Sequence, residues 1–301
     1  MRRLTLLTNP DKCNLRCPLC FLNQRGRPFG MGEMPIEVAK AAIEKYAESG
    51  LREVIPSTMG EPLLYSKFEE LLDCCCKKNI PLNLTTNGSF PGIWGTAAGM
   101  ERLLLACSDI KVSCMGFDGP AFDEMMPGLS FGCWRANVEK LLALAGDLRK
   151  GDCSARVATV SLQVTVHKKI LHSVPEILRW AETVGIARIK WNLPVFISAG
   201  ERLRGEYGIS GHVANEIRRE LELLQAQYLR VRCEGSLFFG ADSAGEGPCK
   251  FFQDEIWILP DGSEEHCPNP ERRFGDRTKK GAACANCMLL GRETCDSPDG
   301  A

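Results

Sequence analysis

The sequence has no long hydrophobic run and no segment typical of a secretion signal. No apolar stretch approaches the roughly 20 residues that a membrane-spanning helix needs. Residues 1–13, MRRLTLLTNPDKC, lack the apolar core and small-residue cleavage site of a signal peptide. Excess charge is also absent, because 37 Lys and Arg stand against 38 Asp and Glu. We therefore predict a cytoplasmic protein with no nucleic-acid and no membrane partner.

Cysteine, in contrast, is abundant, with 16 residues in a chain of 301. The cytoplasm keeps thiols reduced, so metal ligands explain this number better than disulfides do. The most compact group is Cys13, Cys17 and Cys20, a C-x3-C-x2-C run in one short loop. Three thiolates would leave one iron of a [4Fe-4S] cluster open to another ligand, because such a cluster takes four. A zinc knuckle or a set of buried thiols is the alternative.

Strand-like and helix-like segments alternate through the first two thirds of the chain. Strands are predicted at residues 3–8, 53–56, 81–85, 109–114, 158–166 and 188–193, with helical patterns between them. This alternation predicts an α/β fold with a parallel sheet, arranged as a partial (β/α)6 TIM-like barrel. Parallel α/β folds place their active sites at the C-terminal ends of strands. The cysteine loop, the Gly60-Glu61-Pro62 turn and the Thr86-Asn87-Gly88 turn all fall at such ends.

The pattern changes after residue 193. A polar, glycine-rich loop precedes an amphipathic helix from Gly211 to Gln227, for which Ser210 is the predicted N-cap. Beyond it the chain becomes rich in cysteine, glycine and proline. We therefore predict a barrel domain over residues 1–231 and a small C-terminal domain over residues 232–301. Four residues of the loop are predicted to form a solvated surface or, alternatively, to face the barrel mouth: Arg202, Arg204, Glu206 and Tyr207.

The cysteine run resembles the signature of the radical S-adenosylmethionine (SAM) enzymes. The resemblance implies a [4Fe-4S] cluster on Cys13, Cys17 and Cys20, whose open iron chelates the amino and carboxylate groups of SAM. Reductive cleavage of SAM would then yield a 5′-deoxyadenosyl radical, with a flavodoxin- or ferredoxin-type protein as reductant. Leu19 departs from the family pattern, which usually has an aromatic residue before the third cysteine, close to the adenine.

A second motif, Met59-Gly60-Glu61-Pro62, resembles the Gly-Gly-Glu-Pro motif of the same family. Met59 stands where the family has its first glycine. The resemblance implies that Gly60 and Glu61 receive the amino group of SAM, since glycine allows close backbone approach and a carboxylate accepts from an ammonium group.

Further SAM contacts are implied at the ends of later strands. The turn that contains Thr86 and Asn87 resembles the family's Thr-Asn-Gly turn, which lies near the methionyl moiety, and Ser113 matches a serine near the SAM carboxylate or ribose. Buried strands rarely hold polar residues without partners. We therefore expect four polar residues of strands five and six to line a pocket or to bond internally: Gln163, Thr165, Lys190 and Asn192. Of these, Gln163 and Asn192 are the predicted cofactor contacts.

A second group of cysteines follows in the C-terminal part. Residues 255–262, EIWILPDG, predict a β-hairpin that would bring Cys249 and Cys267 together at its open end. Cys284 and Cys287 follow as a C-x2-C pair, and Cys295 is a spare or substitute. The arrangement resembles the SPASM/twitch extension of radical SAM enzymes, which implies one auxiliary [4Fe-4S] cluster on the first four of these cysteines. A four-cysteine zinc site is the alternative.

A fully ligated second cluster suits electron transfer and therefore favours net oxidation of a substrate. The layout is similar to that of the 2-deoxy-scyllo-inosamine dehydrogenase type, which implies an oxidoreductase acting on a small carbinol such as a sugar or aminocyclitol. Peptide modification by crosslinking, epimerisation or formylglycine formation is the alternative, although a leader-binding domain does not fit ahead of the first strand. A non-catalytic iron-sulfur electron carrier would explain the cysteines but not the two turns.

Overall fold

The computed structural model describes residues 3–57, 59–151, 156–238 and 255–266, and within these ranges nine strands form one sheet. The strands are β1 (Arg3–Leu6), β2 (Glu53–Pro56), β3 (Leu82–Thr86), β4 (Cys107–Cys114), β5 (Thr159–Thr165), β6 (Arg188–Asn192), β7 (Arg232–Glu234), β8 (Glu255–Ile258) and β9 (Glu264–Glu265). Their order across the sheet is β7-β6-β5-β4-β3-β2-β1-β8-β9. All neighbouring strands are parallel except β8 and β9.

Helices connect the parallel strands. They are α1 (Phe21–Arg25), α2 (Ile36–Ala47), α3 (Phe68–Lys77), α4 (Ala97–Ala106), α5 (Gly119–Met125), α6 (Phe131–Gly151), α7 (Val174–Val184), α8 (Arg204–Tyr207) and α9 (Gly211–Gln225). Short 3-10 turns occupy Pro62–Leu64, Gly92–Gly95, Lys168–Ser173, Ser198–Leu203 and Ser236–Phe238. The predicted α/β fold is confirmed, and all six predicted strands lie side by side in chain order.

The two faces of the sheet differ in character because successive strand residues point to opposite sides. On β4, Ile110 and Val112 are fully buried in the main core, which also contains the apolar faces of the surrounding helices. Asp109 and Lys111 point to the other side. The helical side supplies the hydrophobic stabilisation, and the opposite side is free to carry polar groups.

The helix boundaries follow local capping signals. The Ser210 hydroxyl accepts a hydrogen bond from the Val213 N–H at 3.3 Å, which confirms the predicted N-cap of α9. Thr96 caps α4 in the same way through the Gly99 N–H at 3.0 Å. Such caps stabilise a helix by about 1 kcal/mol each.

The predicted hairpin forms, but it belongs to the main sheet. Strands β8 and β9 are antiparallel, and β8 also pairs in parallel with β1. Glu264 ties the hairpin to α2, because its carboxylate accepts from Lys45 Nζ at 2.6 Å and from the Tyr46 hydroxyl at 2.7 Å. Strand β7 was not predicted. Because β7 pairs with β6, the sheet continues past residue 232. The domain boundary at residues 231 and 232 stays a prediction.

None of the helices in the described part of the chain is long and apolar enough to cross a membrane.

Candidate active site

Cys13, Cys17 and Cys20 lie in the loop that follows the C-terminal end of β1, and all three side chains are partly buried. The loop turns sharply, because the Cys20 N–H donates to the Cys17 carbonyl at 3.1 Å, and α1 begins directly after Cys20. Arg16 Nη1 donates to the Cys13 carbonyl at 2.7 Å. The strand end and these bonds hold three thiols on one short segment.

Burial dominates the protonation of these thiols. It raises the pKa of each above its ordinary value, and neighbouring thiols add to this for Cys13 and Cys17. Metal binding would therefore have to displace protons from the loop. Among the described residues, no three His, Cys, Asp or Glu side chains are placed to hold one metal ion. The thiolates of a [4Fe-4S] cluster bind different irons and need not converge on one point.

The turn at Gly60 packs directly against the segment that leads into the cysteine loop. Gly60 has φ +85°, and a Cβ atom there would lie 2.2 Å from the Asn9 carbonyl oxygen and 3.0 Å from that of Lys12. The Glu61 N–H donates to the Lys12 carbonyl at 2.9 Å, and Asn9 Nδ2 donates to the Glu61 carbonyl at 2.7 Å. The close backbone approach expected at Gly60 therefore exists, with Asn9 and Lys12 as its partners.

Glu61 joins two of the predicted turns. Its side chain is buried, and the carboxylate accepts three hydrogen bonds, from the Leu63 N–H at 3.3 Å, the Thr86 hydroxyl at 2.9 Å and the Asn87 N–H at 2.8 Å. Burial raises the pKa of Glu61 to about 7, and these bonds oppose the rise. The carboxylate thus holds the turn after β2 to the turn after β3, while its contact with the SAM amino group stays a prediction.

Asn87 extends this connection to the cysteine loop. Its Nδ2 atom lies 2.9 Å from Asn14 Oδ1 and 3.8 Å from Cys13 Sγ, and its Oδ1 accepts from the Ser89 N–H at 2.9 Å. Asn14 Nδ2 donates to the Ser89 hydroxyl at 3.0 Å. Three segments identified from separate motifs are therefore in contact: the cysteine loop, the Gly60 turn and the Asn87 turn.

The side of the sheet away from the main core carries a row of polar side chains, and we call this side the polar face. Ser113 pairs in register with Gln163, which pairs with Lys190, and Asn192 follows two residues later on β6. Within the described residues, the Ser113 hydroxyl and the Gln163 amide have no hydrogen-bond partner and are partly exposed. Asn192 Oδ1 accepts from the Ser236 N–H at 3.2 Å. Ser113 and Gln163 are free to bind a ligand, whereas Asn192 is partly engaged.

Charged groups are buried nearer the N-terminal ends of the same strands. Arg188 pairs with Asp109, and Lys111 Nζ donates to Asn83 Oδ1. Lys111 is 7% exposed and has no carboxylate within 4.0 Å in the described part of the chain. Burial, followed by the nearby charge of Lys190, lowers the pKa of Lys111 to about 8.

Replacing Lys111 with Met is expected to change how stability depends on pH. The pKa of Lys111 is about 8 in the folded protein and about 10.5 when the chain is unfolded. The charged amine therefore costs stability below about pH 8, and the cost disappears as the pH rises to about 10.5. Across that interval the free energy of unfolding of the wild type should gain about 3 kcal/mol relative to Lys111→Met, measured by urea titration.

Lys150→Met is the matched control, because the Lys150 side chain is 82% exposed. It should show no comparable pH-dependent difference from the wild type. A constant difference between the wild type and Lys111→Met over the same interval would contradict the lowered pKa.

Comparison with known proteins identifies the family. The sequence matches the protein family described as "Radical SAM superfamily" over residues 10–181, which is more than half of the chain and includes the cysteine loop and both turns. The chain belongs to the radical SAM superfamily. No curated protein sequence matches it.

Solved structures share the radical SAM fold. SuiB from Streptococcus suis bound to S-adenosylmethionine superposes with a TM-score of 0.66 at 15% identity, covering 98% of this chain and 72% of SuiB. SuiB bound to its precursor peptide SuiA gives 0.65 at 15% identity, covering 98% and 65%. anSMEcpe with bound AdoMet gives 0.66 at 16% identity, covering 89% and 74%. This chain spans 65% of the SuiB chain in the complex with SuiA. At sequence identities this low, the structural likeness establishes the fold alone.

Membership of the radical SAM superfamily makes SAM and a [4Fe-4S] cluster the cofactors of this chain. It also favours catalysis over the electron-carrier alternative. The predicted auxiliary ligands lie outside the described residues: Cys249, Cys267, Cys284 and Cys287, together with Cys295. Of that predicted site, the structure describes the hairpin β8–β9.

Sequence reasoning missed a connection between the radical SAM cysteine loop and the segment after β6. Gln24 is fully buried, and its Nε2 donates to the Leu19 carbonyl at 2.8 Å and to the Val195 carbonyl at 2.9 Å. Its Oε1 accepts from the Ile197 N–H at 2.9 Å. One amide therefore joins two segments about 170 residues apart, and no local pattern around Gln24 indicates this.

The loop after β6 also packs on the cysteine loop through apolar contacts. Leu19 is buried in a cluster with Met125, Phe196 and Tyr207, and the Arg204 guanidinium lies 4.9 Å from the centre of the Phe196 ring. The expectation of a solvated surface is therefore wrong for Tyr207, which is 5% exposed. Where other radical SAM proteins have an aromatic residue before the third cysteine, this chain has Leu19 with two aromatic rings packed in the same cluster. Phe196 and Tyr207 were the features of the sequence from which this packing on Leu19 could have been predicted.

Proposed function

We propose that this radical SAM enzyme dehydrogenates a small hydroxylated substrate, such as a sugar or an aminocyclitol. The observation that carries the proposal is the row Ser113, Gln163 and Lys190 on the polar face. The side chains of Ser113 and Gln163 have no hydrogen-bond partner among the described residues. Both residues lie toward the C-terminal ends of their strands, and the cysteine loop follows the C-terminal end of β1. Binding sites use a few convergent polar groups to orient a ligand, and a hydroxyl-rich compound offers matching donors and acceptors.

Each part of the site has a defined task in this proposal. When bound, SAM and the clusters would supply the 5′-deoxyadenosyl radical that removes the carbinol hydrogen atom and the acceptor for the electron left on the substrate, and loss of the hydroxyl proton would complete the carbonyl. Cys13, Cys17 and Cys20 would hold the first cluster. Glu61 keeps the turn after β2 and the turn after β3 together through its hydrogen bonds to Thr86 and Asn87. Ser113 and Gln163, the predicted SAM contacts, would also border the substrate and orient its hydroxyls, so that one C–H bond is presented beside SAM.

The proposal includes a twitch-like domain over residues 232–301, with Cys249, Cys267, Cys284 and Cys287 as ligands of an auxiliary cluster. Cys249 comes six residues before β8, and Cys267 comes two residues after β9. Strand β8 is parallel to β1 and β9 returns beside it, so the hairpin that lies between these two cysteines in the sequence is part of the same sheet as the strand that leads into the cysteine loop. This pairing supports a C-terminal domain that is joined to the barrel through the hairpin.

A peptide substrate is the second candidate, and one specific observation favours it. SuiB, whose fold this chain shares, has been crystallised with its precursor peptide SuiA. Peptide crosslinking, epimerisation or formylglycine formation would use the same radical step on a different C–H bond. The two candidates differ in which compound donates the hydrogen atom.

Deuterium transfer tests the proposal directly. Reduced, reconstituted enzyme is incubated with SAM and with sugars or aminocyclitols deuterated at the carbinol carbons, or with deuterated peptides. Deuterium is expected in 5′-deoxyadenosine from a sugar or cyclitol, together with a carbonyl product two hydrogens lighter. Cys17→Ala is the control without the first cluster. Transfer from peptides alone would reject the dehydrogenase in favour of the second candidate.

A further inference from the structure

Asn87 contacts a proposed cluster ligand directly. Its side-chain Nδ2 lies 3.8 Å from Cys13 Sγ, a distance at which an N–H group donates a weak hydrogen bond to sulfur. The Leu15 N–H also points to this sulfur, at 3.4 Å. Cys13 Sγ therefore receives one backbone donor and one side-chain donor from a different strand end.

Hydrogen bonds define the orientation of the Asn87 side-chain amide. Its Oδ1 must be the acceptor of the Ser89 N–H bond, because an amide nitrogen has no free lone pair for that role. Its Nδ2 then carries two hydrogens, of which one points to Asn14 Oδ1 at 2.9 Å and the other is available to Cys13 Sγ. The backbone N–H of Asn87 is held by Glu61 at 2.8 Å. The side chain is buried, so the amide has little freedom to turn away from the sulfur.

A hydrogen bond to a ligating sulfur changes the redox properties of an iron-sulfur cluster. The donor stabilises negative charge on the thiolate, and the reduced cluster carries one more negative charge than the oxidised cluster. The bond therefore favours reduction and raises the potential. The effect is electrostatic and local, so it depends on the N–H group itself rather than on the shape of the turn.

We propose that Asn87 tunes the reduction potential of the cluster on Cys13, Cys17 and Cys20 through its N–H···S bond to Cys13. This rests on the proposed cluster site. Asn87 is a positioning residue in this role, since it acts through a ligand, and Asn14 supports it by orienting the amide. The Thr86-Asn87-Gly88 turn thereby has two roles in this chain: it donates hydrogen bonds to Glu61, and its Asn87 side chain donates to the sulfur of a cluster ligand.

Redox titration of the reconstituted enzyme, followed by electron paramagnetic resonance, measures the effect. The signal of this cluster is identified by its change when SAM is added. In Asn87→Ala the midpoint potential should fall, so that the ratio of reduced to oxidised cluster at a fixed potential drops about threefold, or about 30 mV for a one-electron couple. Asn14→Leu should shift the potential in the same direction by less, because it leaves the Asn87 donor present but less well oriented.

Asn137→Ala is the matched control. Asn137 Nδ2 donates to the Gly88 carbonyl at 2.9 Å and so holds the same turn from the other side without touching the sulfur. Its loss should leave the potential unchanged. Equal potentials for the wild type and Asn87→Ala, or an equal fall in Asn137→Ala, would overturn the proposal.

A second measurement uses the wild type, so it does not depend on cluster assembly in a variant. Wild-type enzyme labelled with ¹⁵N in asparagine side-chain amides should show a ¹⁵N coupling to the reduced cluster in pulsed double-resonance spectra. Absence of that coupling in a cluster-containing enzyme would reject the N–H···S bond while leaving the proposed function intact. A wild type that assembles no SAM-responsive cluster would reject the proposed site, and the role of Asn87 with it.

Discussion

Cys17→Ala is expected to reduce 5′-deoxyadenosine formation by more than about 100-fold, because it removes one of only three thiolates proposed to hold the SAM-binding cluster. Weaker changes around metal ligands already cost about 10- to 100-fold. The iron content should fall from about eight per chain to about four, since the auxiliary cluster keeps its own ligands. Anaerobic assays of SAM cleavage and iron quantification on the same preparation measure both effects.

Cys133→Ala is the matched control for this prediction. Cys133 is an exposed thiol on α6, away from the cysteine loop in sequence. Its replacement should leave both the iron content and SAM cleavage at wild-type levels. Full activity in Cys17→Ala would contradict the ligand assignment, and wild-type protein with only four irons would contradict the auxiliary cluster.

Gly60→Ala should destabilise the protein severely and abolish SAM cleavage. The backbone at Gly60 has φ +85°, which costs an alanine about 1–2 kcal/mol, and the added Cβ would lie 2.2 Å from the Asn9 carbonyl oxygen. To relieve that contact, the turn would have to move away from Asn9 and Lys12 and carry Glu61 with it. We expect a total loss of about 4 kcal/mol and a melting temperature at least about 8 °C lower.

Gly50 is the control that separates the cost of the positive φ angle from the cost of the steric contact. It has φ +77°, but a Cβ atom there would meet nothing within 4 Å. Gly50→Ala should therefore show the conformational cost alone, with a melting temperature only about 2–4 °C lower and SAM cleavage preserved. Equal effects of the two substitutions would show that close packing at Gly60 is unimportant.

The repeating part of the fold was predictable because local patterns determine it. Each predicted strand and its helix carry an apolar face of the right period, and β2 was predicted at its observed bounds, Glu53–Pro56. Strand β7 was missed because three residues, Arg232–Glu234, give no usable periodicity. The parallel pairing of β8 with β1 was also missed, since nothing in EIWILPDG indicates which strand edge it joins.

The candidate site also has one part that was predictable from the sequence and one part that was not. The cysteine run and the two turns were found because each is a compact motif in consecutive residues. Gln24 and Asn14 were missed because their roles exist only after distant segments meet, at Ile197 and Asn87 respectively. Glu61 was found, but its hydrogen bonds to Thr86 and Asn87 were not predicted, because they depend on the turn after the next strand.

The pairing of β1 with β8 has a consequence for how the protein is made. Arg3 lies in register with Glu255, so the strand that leads into the cysteine loop lacks one neighbour until the hairpin has been synthesised. At about 5–20 residues per second, this takes about 12–50 seconds on the ribosome. During that time one edge of β1 has unpaired backbone groups, a state that favours aggregation. Slower production at low temperature, with iron and sulfide in good supply, should therefore raise the yield of correctly assembled protein.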